Sequence, residues 1–210
     1  MKFNDYFYIY PPRPKNAVPP SDIPTWDNKS MIAQPKMNGS NCLIFTNGQS
    51  TYVMNRHNQR LTNFQLDKGE LSNLYKGKGW MVINGEYLNK SKKDETGDFF
   101  NHKLVVFDIL VYNGEYLVGK TFQERINLLD SLYGQNNSDK YYLHSISENV
   151  YRVKSYYNNF YEIFNDLTKI DVVEGLVCKR KNARLEIGTT ENNNTKSQLK
   201  FRKKCKLYSF

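Results

Sequence analysis

The 210-residue sequence has few of the residues that build disulfide frameworks and zinc sites. Its three cysteines, Cys42, Cys178 and Cys205, are odd in number and far apart. No Cys-x-x-Cys pair or Cys/His cluster is present, so their spacing predicts neither disulfides nor a structural zinc ion. We therefore expect reduced thiols and an intracellular setting.

Long apolar runs are also absent. No segment approaches the roughly 20 apolar residues of a transmembrane helix, and the first residues lack the apolar core of a signal peptide. Apolar residues make up 39% of the chain, but 16 Tyr and 12 Phe can still fill one sizeable core. We expect a soluble, cytoplasmic protein, with a viral or phage origin and the host cytoplasm as one option.

The charge balance is basic, with 30 Lys and Arg against 21 Asp and Glu. Basic side chains neutralise phosphates and aromatic rings stack on bases, so the composition suits a nucleic-acid partner. Charge alone does not decide this, because many basic proteins bind no polyanion.

The first 30 residues contain six of the seven prolines, between Pro11 and Pro24. The aromatic run at residues 6–10 predicts a strand, and the prolines argue against helix. We interpret residues 1–30 as an extended segment, an edge strand and coil packed on the domain, in preference to a free recognition arm.

Strand patterns dominate the rest of the chain. Asn47-Gly48 between residues 42–46 and 50–54 predicts a β-hairpin. Capping boxes at 62–65 and 121–124 predict the starts of two helices, the first reaching to about residue 75. Apolar residues at helical spacing predict a third helix over 157–167. Other segments are expected to be strands (80–88, 104–110, 172–179 and 199–203) or exposed loops (134–139 and 192–194).

Strands therefore mix with about three helices, without regular β-α alternation. This pattern predicts an α+β fold built on antiparallel sheets. The sequence shows no internal repeat and no domain linker, so we expect residues 31–210 to form one domain.

Five short stretches carry candidate chemistry, and their order along the chain resembles that of covalent nucleotidyltransferases: DNA ligases, RNA ligases and mRNA capping enzymes. A lone Lys-x-x-Gly is common by chance, but five signatures in the right order between residues 36 and 202 are specific. The stretches are Lys36-Met37-Asn38-Gly39, Val82-Ile83-Asn84-Gly85-Glu86, Val106-Phe107-Asp108-Ile109-Leu110, Glu174-Gly175-Leu176-Val177-Cys178-Lys179 and Leu199-Lys200-Phe201-Arg202.

The resemblance implies an ATP-grasp-like nucleotidyltransferase domain of antiparallel sheets flanked by helices. It also implies that Lys36 is the nucleophile that forms lysyl-AMP from ATP. An amine attacks phosphorus only when unprotonated, and nearby cations favour that form. We expect Lys179, Lys200 and Arg202 to supply those cations and to neutralise the α-phosphate.

The same resemblance implies roles for the remaining candidates. Glu174 would hold Mg²⁺ or Mn²⁺ together with phosphate oxygens, Arg56 would contact the acceptor phosphate, and Phe107 would stack on the purine. Catalytic roles fall to Lys36, Lys200 and Arg202. Nucleotide binding falls to Gly39, Asn41, Glu86, Phe107, Lys179 and Lys200. His57 shows no partner pattern, and we interpret it as a surface or core histidine.

The sequence favours an RNA ligase over a DNA ligase. Asn41 stands where DNA ligases and capping enzymes usually carry Arg, and Gly39-Ser40-Asn41 resembles RNA ligases of the phage and editing type. Residues 113–125 and 174–177, in contrast, are similar to DNA ligases. A DNA ligase, a GTP-dependent capping-type guanylyltransferase and an inert nucleic-acid-binding module stay as alternatives.

Three departures from the family pattern bear on this choice. Pro35 replaces the Glu that precedes the lysine in many RNA ligases, Asn84 replaces an Asp common in DNA ligases, and Arg202 replaces a second lysine. The sequence ends eight residues after Arg202, and we therefore expect neither an oligonucleotide-binding barrel nor a helical domain after it. We expect a monomer that acts on 5′-phosphate and 3′-hydroxyl ends in a duplex, helped by the basic stretch 200–206.

Overall fold

The computed structural model describes residues 5–135, 138 and 140–204. Within these ranges the chain forms eleven strands and four α-helices. The strands are β1 (Arg13–Val18), β2 (Met31–Met37), β3 (Ser40–Thr46), β4 (Thr51–Asn55), β5 (Met81–Leu88), β6 (Lys103–Tyr112), β7 (Glu115–Tyr116), β8 (Leu143–Ser145), β9 (Val150–Val153), β10 (Val173–Arg180) and β11 (Asn194–Arg202). The helices are α1 (Ile23–Trp26), α2 (Lys68–Ser72), α3 (Phe122–Tyr133) and α4 (Phe160–Leu167).

The strands form two sheets, and the predicted α+β class is confirmed. The first sheet has the order β1-β11-β10-β2, and the second has the order β4-β3-β5-β6-β9-β8 with β7 paired to β6. Most pairings are antiparallel as predicted, but β1 with β11 and β6 with β9 are parallel. A parallel pair needs a long crossover, and between β6 and β9 the crossover contains α3.

The largest apolar cluster joins the two sheets to α4. It includes Met37 of β2, Val105 of β6, Leu176 of β10 and Phe160 of α4, all buried. Burying such side chains stabilises the fold by roughly 1.5–3 kcal/mol each. Since both sheets contribute to this one core, the core holds the two sheets together.

Helix α3 begins where the second capping box predicts. The Thr121 hydroxyl accepts from Glu124 N–H at 3.2 Å, and the Glu124 carboxylate accepts from Thr121 N–H at 2.7 Å. These two bonds satisfy N–H groups that the first turn would otherwise leave without partners. The predicted apolar stripe is buried against the second sheet; its members are Phe122, Ile126, Leu129 and Tyr133.

The other two helix starts differ from the prediction. Helix α2 begins at Lys68, because Asp67 caps it by accepting from Glu70 N–H at 2.8 Å. The predicted start at 62–65 is wrong, since Phe64 there packs on Tyr87 at 4.6 Å between ring centroids. Helix α4 starts three residues later than expected, because Asn159 has a left-handed φ of 57° that no helix continues through.

The N-terminal segment contains a strand, but not where its aromatic residues suggested. Residues 6–10 are irregular, and the strand is β1, at the edge of the first sheet. Tyr6 packs its ring edge-on against Phe45 at 4.7 Å. The expectation that proline excludes helix here is also wrong. Pro24 lies in the first turn of α1, where backbone N–H groups have no partner within the helix, so the N–H that proline lacks costs no hydrogen bond.

A few predicted features are displaced or lie outside the described residues. Asn194, predicted to be in a loop, opens β11. Residues 136, 137 and 139 of the predicted loop 134–139, Cys205, and the end of the basic stretch 200–206 lie outside the described residues. Among the described helices, none has the length and apolar character needed to cross a membrane.

A buried ion pair links β6 to α3 and yields a first prediction. Arg125 donates to both carboxylate oxygens of Asp108, at 2.8 and 3.0 Å, and both side chains are almost fully buried. Asp108→Ala should cost about 3–5 kcal/mol of unfolding free energy, because it leaves a buried guanidinium without its counter-ion. Urea unfolding at pH 7 measures this loss.

The matched control is Asp166→Ala, which breaks the exposed pair between Lys169 and Asp166. That change should cost less than about 1 kcal/mol, since exposed pairs contribute little. Equal losses in the two variants would contradict the assignment of Asp108 and Arg125 as a structural pair.

Candidate active site

A cleft of about 530 Å³ opens between the two sheets. All ten residues singled out from the sequence line it, although they come from seven different strands or the turns beside them. They are Lys36, Gly39, Asn41, Arg56, Glu86, Phe107, Glu174, Lys179, Lys200 and Arg202. The structure therefore brings the candidate set together, while their individual roles stay predictions.

The register of the first sheet explains why its basic residues share the cleft. Gly175 of β10 pairs with Lys36 of β2 on one side and with Arg202 of β11 on the other. Two residues further along β10, Val177 pairs with Lys200 of β11. Residues two apart on a strand point to the same face, so Lys36, Lys200 and Arg202 all face the cleft.

Glu174 reaches the same face because β10 is irregular beside it. The pairing of β10 with β2 shifts between Val173 and Gly175, and Gly175 has a φ of 152°. A side chain at 175 would overlap the carbonyl oxygen of Phe201, so only glycine fits. Such a bulge re-aims a side chain, and here it directs Glu174 towards Lys36.

Lys36 and Glu174 form an ion pair with each side chain about one-fifth exposed. Arg202 Nε lies 3.6 Å from the same carboxylate oxygen, Glu174 Oε2. Lys200 lies near these charges. The pKa of Lys200 is lowered mainly by burial, and further by the positive charges of Arg202 and Lys36. The amine of Lys36 is thus engaged by the carboxylate of Glu174 in this structure.

The turn from β2 to β3 carries the chain from one sheet to the other, through Asn38 and Gly39. Gly39 N–H donates to Glu86 Oε1 at 3.2 Å. A side chain at Gly39 would overlap the carbonyl oxygen of Tyr87, so glycine is needed for space. Burial raises the pKa of Glu86 to about 7, opposed by the positive charge of Lys36. Glu86 therefore changes charge near neutral pH.

Two departures from the ligase pattern contact each other in the cleft. Asn41 Nδ2 donates to Asn84 Oδ1 at 2.9 Å and to the carbonyl oxygen of Gly85 at 3.2 Å. The two positions where the resemblance leads one to expect Arg and Asp are therefore in contact, and here they form a pair of neutral amides.

Phe107 and Lys179 lie together at the floor of the cleft. Lys179 Nζ is 4.9 Å from the ring centroid of Phe107 and 4.5 Å from that of Phe122, and it donates to Gln34 Oε1 at 2.8 Å. Burial lowers the pKa of Lys179 to about 8. Lys179 therefore lies over one face of the Phe107 ring, and Phe107 also packs against the apolar core between the sheets.

The sequence interpretation missed several residues of the cleft. His57, taken for a surface or core histidine, accepts from Arg56 Nε at 3.0 Å and contacts Glu191 at 2.8 Å. Arg13 lines the cleft although its segment was expected only to pack on the domain. No signature marks these residues, because Glu191, which contacts His57, and β11, which pairs with the strand of Arg13, lie far away in sequence. Further lining residues are Gln34, Asn84 and Gln198.

The residues present suit Mg²⁺ in the way that nucleotide-binding sites hold it. The described residues contain no group of three or more His, Cys, Asp or Glu side chains that could form an all-protein cage. Mg²⁺ is commonly held by one or two carboxylates, with water and substrate phosphates as the other ligands. Glu174 faces the cleft and can supply such a carboxylate.

Comparison with known proteins places this chain in a family. A sequence profile described as "ATP dependent DNA ligase domain" matches residues 17–198, so the chain belongs to the ATP-dependent DNA ligase domain family. This family is part of the covalent nucleotidyltransferase superfamily of polynucleotide ligases. No curated protein matches the chain.

Solved structures share the fold at low sequence identity. Mycobacterial DNA ligase D complexed with ATP and MES has a TM-score of 0.66 and 15% identity over 96% of this chain and 62% of that chain. The ligase domain of M. tuberculosis LigD has a TM-score of 0.65 and 16% identity, over 95% of this chain and 61% of that chain. A Lig E DNA ligase has a TM-score of 0.53 and 16% identity, over 83% of this chain and 62% of that chain. This chain thus spans less than two thirds of the relatives' lengths.

The raised pKa of Glu86 predicts a pH-dependent stability. Its folded pKa of about 7 exceeds its ordinary value of 4.5, so ionisation of the buried carboxyl costs stability as pH rises between these values. Glu86→Gln should therefore stabilise the protein by about 2 kcal/mol more at pH 8 than at pH 5. Urea unfolding of both proteins at the two pH values measures the difference.

Glu162→Gln, which neutralises an exposed carboxylate on α4, is the control. It should show the same stability relative to the unaltered protein at both pH values. If Glu86→Gln behaved in the same way, Glu86 would not be a carboxyl that burial keeps protonated.

Proposed function

We propose that this chain catalyses nucleotide transfer in an ATP-dependent polynucleotide ligase that joins 5′-phosphate to 3′-hydroxyl ends. One observation carries the proposal: Lys36 faces a single cleft together with a carboxylate, Glu174, and two cations, Lys200 and Arg202. Membership of the ligase domain family supports ATP as the nucleotide.

In the first step, Lys36 becomes covalently bound to AMP. Once Glu174 releases the amine and the amine has lost its proton, its lone pair attacks the α-phosphorus of ATP. A P–N bond forms between Lys36 and the α-phosphorus. The bond between the α-phosphorus and the oxygen that bridges to the β-phosphate breaks, and pyrophosphate leaves. Lys200 and Arg202 neutralise the charge that builds on the phosphate oxygens. Mg²⁺ held by Glu174 would add further neutralisation.

In the second and third steps, the nucleotide passes to the nucleic acid. An oxygen of the 5′-phosphate end attacks the lysyl-AMP phosphorus, which frees Lys36 and forms a pyrophosphate linkage. The 3′-hydroxyl then attacks the 5′ phosphorus, so the strand is sealed and AMP leaves. Arg56 at the rim of the cleft suits the 5′-phosphate, because a guanidinium binds phosphate oxygens with two parallel hydrogen bonds.

The features that bear on whether the joined strands are RNA or DNA point in different directions. The family match supports DNA. Pro35, which departs from the residue found in many RNA ligases, points in the same direction. Asn41 resembles RNA ligases, and it donates to Asn84, which stands where Asp is common in DNA ligases. We keep the sequence-based prediction of RNA sealing, by a monomer, as the hypothesis for experiment.

The nucleotide-transfer step is tested by labelling. Incubation with α-labelled ATP and Mg²⁺ should give a labelled protein that survives denaturing electrophoresis, and Lys36→Ala should reduce the label to background, because no other amine occupies its place. Lys169→Ala, which removes an exposed lysine, should label as the unaltered protein does. Labelling with GTP but not ATP, or an undiminished Lys36→Ala adduct, would sink the proposal.

Strand preference is tested with nicked duplexes in which the 5′-phosphate and 3′-hydroxyl strands are each RNA or DNA. We expect RNA–RNA nicks to be sealed at least as fast as DNA–DNA nicks, and nicks with a 5′-hydroxyl not at all. Sealing of DNA–DNA nicks alone would contradict the RNA prediction and assign the chain to DNA. Binding of nicks without any sealing would favour the inert module.

A further inference from the structure

Arg13 brings an unpaired positive charge into the active-site cleft from the N-terminal segment. It opens β1, and its half-buried side chain lines the same cleft as Arg56 and Lys200. Among the residues that the structure describes, none gives the Arg13 guanidinium a hydrogen bond or an ion pair. The nitrogens of Arg13 are not among the buried unsatisfied atoms, so the guanidinium is open to a ligand that enters the cleft.

The position of Arg13 is fixed by its backbone. Tyr10 N–H donates to the carbonyl oxygen of Gly188 at 3.0 Å, and Asn193 Nδ2 donates to the carbonyl oxygen of Tyr10 at 2.7 Å. Arg13 N–H donates to the carbonyl oxygen of Asn193 at 2.9 Å, where the parallel pairing with β11 begins. The prolines on both sides, Pro12 and Pro14, restrict the backbone further. The chain therefore presents Arg13 from a rigid support.

Arg56 is oriented by the same part of the chain. Its Nε–H donates to His57 Nε2, and His57 Nδ1 lies 2.8 Å from Glu191, which belongs to the loop that also binds Tyr10. Since a guanidinium always carries its protons, His57 Nε2 must be the acceptor and Nδ1–H the donor to Glu191. This arrangement uses Nε of Arg56 and leaves its two terminal amino groups for a ligand.

The two guanidinium groups repel each other across the cleft. The pKa of Arg13 is lowered mainly by burial and then by the charge of Arg56. The nearby carboxylates have partners: Glu174 is paired with Lys36 and lies near Arg202, and Glu191 contacts His57. A tetrahedral dianion between the two groups would relieve the repulsion and accept several charge-assisted hydrogen bonds.

We propose that Arg13 and Arg56 together form the binding site for the terminal 5′-phosphate of the strand to be joined. This inference rests on the proposed function and adds to it a residue outside the five signatures. The phosphates of ATP are the other source of the same chemistry. Arg13, on the first sheet, lies near Lys200 as well as near Arg56. The 5′-phosphate is favoured, because Lys200 and Arg202 already flank Lys36, whereas Arg56, which follows β4 in the second sheet, is the charge that acts on Arg13.

The experiment separates the two sources of phosphate. Arg13→Gln removes the charge at similar length, Arg13→Lys keeps it, and Lys15→Gln removes an exposed charge from the same strand as the control. For each protein, two quantities are measured: the single-turnover rate of adenylation with ATP, and the affinity for nicked duplexes bearing a 5′-phosphate or a 5′-hydroxyl in the absence of ATP.

Arg13→Gln should adenylate within about twofold of the unaltered protein and lose roughly 10- to 100-fold of its preference for the 5′-phosphate, as expected for one charge-assisted interaction. Arg13→Lys should retain part of that preference, and Lys15→Gln all of it. Unaltered urea unfolding of Arg13→Gln shows that the fold is intact.

Two outcomes overturn the inference. Slower adenylation of Arg13→Gln with an undiminished 5′-phosphate preference would assign Arg13 to ATP. No change in either quantity would show that Arg13 contributes neither to adenylation nor to recognition of the 5′-phosphate. The two proposals can fail separately. If the unaltered protein forms no adduct at Lys36, the proposed function fails. The difference in affinity between 5′-phosphate and 5′-hydroxyl duplexes still tests the role of Arg13 in that case.

Discussion

At Gly175, β10 lies so close to β11 that any side chain would overlap the carbonyl oxygen of Phe201. This close approach, with the shifted pairing beside it, turns Glu174 from the core towards the cleft. The neighbouring residues Leu176 and Cys178 stay in the apolar core between the sheets. One irregular position thus lets a strand be apolar on its inner side and still place a carboxylate beside Lys36.

The charges of the cleft depend on that placement. Without Glu174 in reach, Lys36, Lys200 and Arg202 would form a row of like charges without compensation, whereas the pair formed by Lys36 and Glu174 balances the row before ATP binds. Glu86, held mostly neutral by burial up to about pH 7, adds little negative charge from the other sheet. The cleft is therefore electropositive, which suits the nucleoside triphosphate and the phosphorylated strand end of the proposed function.

Sequence patterns predict the residues whose signal is local. Asn47-Gly48 predicts the hairpin of β3 and β4, and the Thr121 box predicts α3. The ordered signatures predict eight of the ten residues that the fold gathers in one cleft, and the other two, Asn41 and Arg56, follow from the family resemblance. The first helix start was wrong because Thr62 and Asp67 are both plausible caps, and packing of Phe64 on Tyr87 decides between them.

The contacts of Arg13 with the cleft, of His57 with Glu191, and of Asn41 with Asn84 could not be predicted. Each depends on the register between strands or on a loop far away in sequence, and none of these carries a pattern of its own. The parallel pairing of β1 with β11 is the clearest case, because it brings residue 13 next to residue 194.

The central claim is that Lys36 is the residue that becomes attached to the nucleotide. Peptide mass mapping of the protein after incubation with ATP and Mg²⁺ tests it most directly. The account predicts that the mass of one AMP group is added to the peptide containing Lys36 and to no other peptide. An AMP group on a different residue, or an unmodified Lys36 peptide under conditions in which the protein seals nicks, would contradict it.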